Sequence, residues 1–358
     1  MRERLLEALL FFLERPSVTG EEKRLCDDLE ARLAGSGLWS VGRTSNNLVV
    51  RRRTPDPSRP KLVFAGHLDT VPEPEGGIPV RVEGDEVYGR GASDMKGGDA
   101  LMLALMENLD WDEARVDPLF VFYEREEGPH EENGLGRVFE EYPEVLEARL
   151  ALIPEPTAGA LEAGCAGTAQ VEVVFRGRSA HAARPWLGEN AISKAGGFLA
   201  ALHERMPEEV EVEGLGFYEV LTPTLARGGV ATNVVPDEFR INVNHRFAPG
   251  RGRDHVERTF AKLAREHGFS FEVKDFAAGA PPALGDPLLQ ELASETEVRA
   301  KQGWTDVARF AAAGVPAANY GPGIPEQAHQ DEEHVKLSVL EGCYRRLKDS
   351  LSAIRRAT

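Results

Sequence analysis

Five separate segments of this chain carry carboxylates or imidazoles of the type that bind metal, most of them at the end of an apolar run. LVFAGHLDTVP sets His67 and Asp69 two residues apart, YGRGASDMKGG carries Asp94, LFVFYEREEGP ends on Glu126 and Glu127, LALIPEPT on Glu155, and PEQAHQDEEHV holds His329. Residues i and i+2 of an extended chain point to one face, so His67 and Asp69 share a face where a strand over 61–66 would leave its sheet. Imidazoles and carboxylates together suit a hard-to-borderline divalent cation such as zinc. Each piece also has a plainer reading. His67 and Asp69 would end a strand at a turn, Asp94 would cap a helix, Glu126–Glu127 would be a solvated corner, and His329 a surface residue of an acidic loop. Glu155 is different, because Pro154 and Pro156 fix its backbone without giving the carboxylate a partner. Recurrence favours one site, since ligands of open α/β sheets collect beyond the carboxyl ends of the strands. Adjacent strand residues point opposite ways, so Glu126 and Glu127 reach one site only through a bend, which Gly128-Pro129 is expected to supply.

The elements that must position these groups alternate helices with apolar strands, an α/β pattern. Helices are expected at 2–14, where Leu5, Leu9 and Leu13 fall four apart, at 20–34, and over MKGGDALMLALMENL after Asp94. Strands are expected at 47–53 and 61–66, and the apolar runs 119–123 and 150–153 read as buried strands. The pattern changes near Gly164. AQVEVVFRG alternates as a half-exposed strand, followed by a helix at 190–205, strands at 218–225 and 238–244, a helix at 253–266 with Val256, Phe260 and Leu263 in register, and a strand at 270–274. Strand–helix–strand–strand–helix–strand is the order of a ferredoxin-like sandwich. After AAGAPPALGDP the first pattern resumes. The expected organisation is a discontinuous domain of 1–164 and 281–358 with an inserted domain at 165–280.

A chain of 358 residues exceeds what one core usually holds. The net charge of −17 argues against a nucleic-acid or anionic-membrane partner, since both select basic surfaces. Cys26, Cys165 and Cys343 form neither a disulfide framework nor a zinc CxxC pair, which fits a reducing, cytoplasmic location. In MRERLLEALLFFLERP, Glu7 interrupts the apolar run, so the segment reads as an amphipathic helix and not a signal peptide. No segment is apolar for long enough to span a membrane.

GHLDTVP, GASDMKGG, EEG, PEPT and AHQDEEHV together resemble, in order and over nearly the whole chain, the co-catalytic zinc amidohydrolases and exopeptidases of the aminoacylase and carboxypeptidase group. GCAGT, RGRSAHAARPWLGENAI, TNVVPDEFRINVNHRFAPG and QGWTDVARFAAAGVPAANYGPG resemble its succinyl-diaminopimelate desuccinylase branch. The resemblance implies a zinc-exopeptidase-like catalytic domain, a mixed sheet flanked by helices, with an inserted ferredoxin-like dimerisation or lid domain. It implies two Zn2+ per subunit, with Co2+ or Mn2+ as substitutes. His67 and Glu155 would hold one ion and His329 and Glu127 the other, bridged by Asp94. Glu126 would be the general acid/base, Asp69 would orient His67, and the Asp94–Met95 peptide would be cis. His181 would act across a homodimer to stabilise the oxyanion, while Asn233, Arg246, Gly303 and Thr305 would bind a small N-acylated amino acid. The implied reaction is hydrolysis of N-succinyl-LL-2,6-diaminopimelate in lysine biosynthesis. The alternative is a dipeptidase, an aminoacylase, or a deacetylase of the acetylornithine or acetylcitrulline type. Cys165 and Ala166 stand where the common bacterial desuccinylase has arginines, and Trp304-Thr305-Asp306 where it has Thr-Ser-Asp. Arg125 precedes the glutamates where a small or acidic residue is usual. These departures bear on the substrate and leave the metal set intact.

Overall fold

The run LVFAG makes Lys61–His67 a strand buried along nearly its whole length. Such a strand needs apolar neighbours on both edges and helices on both faces. Asp117–Tyr123 and Leu150–Ile153 flank it, both parallel to it, and Ala317–Asn319 continues parallel beside Leu150–Ile153. In this computed structural model, which describes residues 1–74 and 77–353, these strands form the centre of an eight-stranded mixed sheet. Asn47–Arg52 and Trp39–Thr44 extend one side antiparallel, and Leu161–Ala163 and Val298–Ala300 complete the other. WSVGRT carries no clear alternation, so Trp39–Thr44 is not foreseen from sequence; its full pairing with Asn47–Arg52 makes it a strand. The helices Arg2–Leu13, Lys23–Ala34, Lys96–Asn108 and Leu337–Ala353 bury Leu5, Leu9, Phe12, Leu29, Leu101, Leu105, Leu340 and Leu347 in one core with the sheet.

A second compact unit comprises Gly164–Pro282 together with Ala300–Ala308. Its five strands are antiparallel, in the spatial order Glu208–Val212, Leu215–Gly228, Glu238–Phe247, Gly167–Arg176, Ser270–Ala277. Without the short first strand, this is the sheet of the expected ferredoxin-like sandwich. Val171, Val173, Phe175, Ile241, Val243 and Phe247 meet Phe198, Val256 and Phe260 of the helices in a core of their own. The helix expected over 190–205 is broken into Ala191–Lys194 and Gly196–Glu204, at a junction where Gly196-Gly197 weakens helical continuity. The strand expected at 218–225 runs from Leu215 to Gly228, and its far half is exposed. The segment 300–308 is tied in by the Ala166 N–H, which donates to Lys301 O at 3.0 Å. No helix among the described residues is long and apolar enough to cross a membrane.

Candidate metal centre

Three parallel strands of the first unit release their carboxyl ends side by side, and the chemistry gathers there. His67 is the last residue of its strand and is 1% exposed. Its Nε2 lies 3.3 Å from Asp94 Oδ1. The other oxygen, Asp94 Oδ2, lies 3.6 Å from His329 Nε2. His329 Nε2 is also 2.8 Å from Glu127 Oε1. One ligand atom each from His67, Asp94 and Glu127 lies within 4.8 Å of the others. Charge-assisted N–H···O bonds run at about 2.7–2.9 Å. Donors on a tetrahedral ion, with bonds of about 2.0–2.2 Å, stand about 3.3–3.5 Å apart. The Asp94 separations match the second spacing better, so one carboxylate faces two imidazoles at a distance suited to a cation on each side. Glu155 follows Leu150–Ile153, the parallel neighbour of the His67 strand, and is 5% exposed. Sheet topology therefore brings it out at the same end.

The site is held by the backbone as much as by side chains. The bend that lets Glu126 and Glu127 serve one site begins at Arg125, whose φ is +63°, and continues through Glu126, Glu127 and Gly128. Asp69, fully buried, accepts the N–H groups of Glu126 at 2.9 Å and Glu127 at 3.1 Å, and the Thr19 hydroxyl at 2.9 Å. Its contact with His67 differs from a simple carboxylate–imidazole pair. His67 Nδ1 bonds the Asp69 backbone carbonyl at 2.9 Å, and the nearer carboxylate oxygen is 3.5 Å away. Asp69 thus ties the imidazole to the glutamate bend.

The helix-cap reading of Asp94 falls away, because Lys96–Asn108 has Met95 at its N-cap position and no side-chain cap bond. Asp94–Met95 is a cis peptide. The turn before it is fastened by a residue that sequence reasoning passed over. Glu333, 1% exposed, accepts the N–H groups of Gly91, Ser93 and Asp94 at 3.0 Å each and pairs with Arg90 at 2.9 Å. The signal was present, since Glu333 lies in the same AHQDEEHV stretch as His329. Gly66, which ends LVFAG, also has a reason: a Cβ there would meet Asp99 Oδ1 at 2.4 Å.

Burial alone would make His67 a weaker base, but its bonds with Asp69 and Asp94 outweigh this and raise its pKa. The hydrogen bond to Glu127 raises that of His329. Both rings therefore bear a positive charge readily in a site crowded with carboxylates, and a divalent cation would replace those protons.

The remaining expected residues belong to the second unit. Ala180–His181 pairs with Val234–Val235, His181 opposite Val234, which brings exposed His181 beside exposed Asn233. Ala182 N–H donates to Asn233 O at 2.9 Å, and His181 Nδ1 accepts from Ala183 N–H at 3.0 Å. Arg246, on the strand Glu238–Phe247, donates from Nε to Asn244 Oδ1 at 3.1 Å. Thr305 is buried and Gly303 exposed, on the segment whose Trp304 Nε1 donates to Ala278 O at 3.1 Å.

Against known proteins, residues 63–353 match the family model described as peptidase family M20/M25/M40. The chain is 39% identical over 347 residues to a succinyl-diaminopimelate desuccinylase of Corynebacterium glutamicum, covering 94% of this chain and 93% of the relative. It is 42% identical over 339 residues, 93% of each chain, to a Mycobacterium tuberculosis protein to which the same activity is ascribed. Among solved structures, a Staphylococcus aureus tripeptidase superposes with a TM-score of 0.80 at 22% identity, over 100% of this chain and 99% of that one. The order of metal-type residues at the strand ends, the mixed sheet with its separate antiparallel unit, and these full-length matches place the chain in the M20/M25/M40 peptidase family, as a metal-dependent hydrolase.

Proposed function

We propose that the protein hydrolyses the amide bond of an N-acyl amino acid, and that its substrate is N-succinyl-LL-2,6-diaminopimelate, released as succinate and LL-2,6-diaminopimelate. The observation that carries the metal-assisted chemistry is the Asp94 carboxylate, with one oxygen toward His67 and the other toward His329. The substrate follows from the activity named for full-length relatives at about 40% identity.

His67 and Glu155 would hold one zinc ion and Glu127 and His329 the other, with Asp94 shared between them. Such ions would supply a lowered pKa for a bound water and polarisation of the scissile carbonyl. Glu126 is the general base that takes the water's proton and then the acid that gives it to the leaving amine. Its backbone N–H, fixed on Asp69 Oδ1, keeps it beside Glu127. Asp69 also fixes the His67 tautomer, because the Nδ1 proton is directed at its backbone carbonyl and Nε2 is left for the metal. Arg246 pairs with a substrate carboxylate, and Asn233, Gly303 and Thr305 contact the acyl amino acid. The working unit is a homodimer in which the partner subunit's His181 supplies the oxyanion donor. The cysteines Cys26, Cys165 and Cys343 are free and buried, in keeping with work in a reducing cytoplasm.

The second reading keeps the chemistry and changes the acyl group. It is favoured by Cys165 and Ala166, both fully buried, at positions where the common bacterial desuccinylase has arginines. The deciding measurement is a panel of succinyl-diaminopimelate, N-acetyl amino acids and dipeptides, assayed after chelation and again after zinc is restored. Turnover of the succinylated substrate well above the others is expected. Preference for a dipeptide or acetylated substrate would reject the narrow assignment, and no metal-dependent turnover of any of them would reject the amidohydrolase.

A further inference from the structure

The antiparallel unit holds a second gathering of metal-type donors that the proposed chemistry does not use. Glu219 lies on Leu215–Gly228, His245 on the adjacent strand Glu238–Phe247, and His255 in the first turn of the helix Arg253–His267. Strand pairing sets Leu221 opposite His245, so Glu219, two residues before Leu221, shares a face with it next to His245. The same face packs against that helix through Val243, Phe247, Val256 and Phe260. One ligand atom from each of the three residues lies within 4.8 Å of the others. The two imidazole rings stack with centroids 5.9 Å apart.

Two details favour a cation over a plain ion pair. His255 Nε2 stands 3.4 Å from Glu219 Oε2, longer than a good charge-assisted hydrogen bond and equal to the spacing of donors on a tetrahedral ion. His245 is 2% exposed, and its Nδ1 is buried without a hydrogen-bond partner. The carboxylate is already oriented. Glu219 Oε1 accepts the Ala248 N–H at 3.1 Å and Arg251 Nε at 3.2 Å, which leaves Oε2 to face the histidines.

We propose that Glu219, His245 and His255 form a separate, non-catalytic transition-metal site, a three-ligand zinc-class centre with its fourth position open to water. Two imidazoles and one carboxylate select zinc or cobalt over calcium or magnesium, which take oxygen donors. Arg251 beside Glu219, and the positive charge of Arg205 acting on His245, oppose a cation; the nitrogen donors must outweigh them. An ion held here would join two strands to a helix and stabilise the folded unit by mass action.

The test is zinc stoichiometry by equilibrium dialysis and metal analysis of full-length chain, first stripped with chelator and then exposed to zinc chloride. The parent is expected to bind about one equivalent per chain more than either Glu219→Gln or His255→Gln, with amide hydrolysis retained in both variants. Zinc beyond the catalytic complement should raise the melting temperature of the parent and not of the variants. If Glu219→Gln fails to fold by circular dichroism, His255→Gln, at a partly exposed helix start, decides alone. Equal stoichiometry in parent and folded variant would overturn the site and leave a His255–Glu219 ion pair beside a neutral core histidine. Because the readout is zinc at these residues, failure here leaves the proposed hydrolysis untouched.

Discussion

Glu126 and Glu127 are neighbours in sequence with different proposed work, and the backbone makes this possible. The left-handed turn at Arg125 and the two N–H bonds to Asp69 place the peptide of each, so neither side chain has to serve as an anchor. Glu126→Gln should therefore keep its zinc while turnover falls by about 10²–10⁴-fold, the usual contribution of a positioned acid/base. Metal analysis beside a rate assay checks both halves, and unchanged turnover would remove Glu126 from its role. Glu333 acts one step further out. With three loop N–H groups on one buried carboxylate, Glu333→Gln should weaken zinc retention by about 10–100-fold, measured by competition with a metal indicator.

Asp99 poses another problem at this scale. It is fully buried and its oxygens make no hydrogen bond in the structure; burial pushes its carboxyl well above the usual range, against the pull of His67 and Lys96. An acid with a raised folded-state pKa lends stability while protonated. That stability is lost as pH climbs from the ordinary value of 3.8 through the raised one. Asp99→Asn cannot ionise, so in metal-free protein its stability relative to the parent should grow between acidic and mildly alkaline pH. Urea unfolding at several pH values tests this, and a difference that shrinks with rising pH would contradict it.

At the scale of elements, the Glu155 strand end is confined between two glycines. A Cβ at Gly98, in the first turn of Lys96–Asn108, would come 2.2 Å from Pro154 O. A Cβ at Gly321 would come 2.2 Å from the same oxygen and 2.5 Å from Glu155 O. The prolines around Glu155 stiffen the segment, and the glycines admit it. Gly321→Ala should cost about 1–3 kcal/mol by overpacking against backbone that cannot move aside. Urea unfolding gives the magnitude. A loss of zinc beyond that of a surface Gly→Ala control would show that the displacement reaches Glu155.

For the whole molecule, the open question is assembly. Glu208–Val212 pairs with Leu215–Gly228 only as far as Glu219. Beyond that the outer edge of the long strand has no strand partner among the described residues, and Leu225 is 72% and nearby Val230 85% exposed. Unpaired edges with apolar side chains favour association. If this edge closes the proposed homodimer, Leu225→Asp should yield monomers in sedimentation, and turnover should fall with the dimer if the partner's His181 is needed. A monomer with full turnover would contradict that sharing, and an unchanged dimer would place the interface elsewhere.

The sequence by itself determined the main strands and offered the candidate donors. His67, Asp94, Glu127, Glu155 and His329 stood out as candidates because acids and imidazoles recur at segment ends and because the motifs around them resemble a known family, and the strand–helix order of 165–280 was legible because its alternation is regular. Tertiary structure decided how the donors are held. The Asp69 bonds to the Glu126 and Glu127 N–H groups and the Glu333 clamp join residues 57 to 242 positions apart, which no local periodicity encodes, and Trp39–Thr44 is a strand only through its pairing with the adjacent Asn47–Arg52. Glu219, His245 and His255 were invisible in the same way, since a strand, its neighbour and the following helix become one cluster only when the sheet is folded.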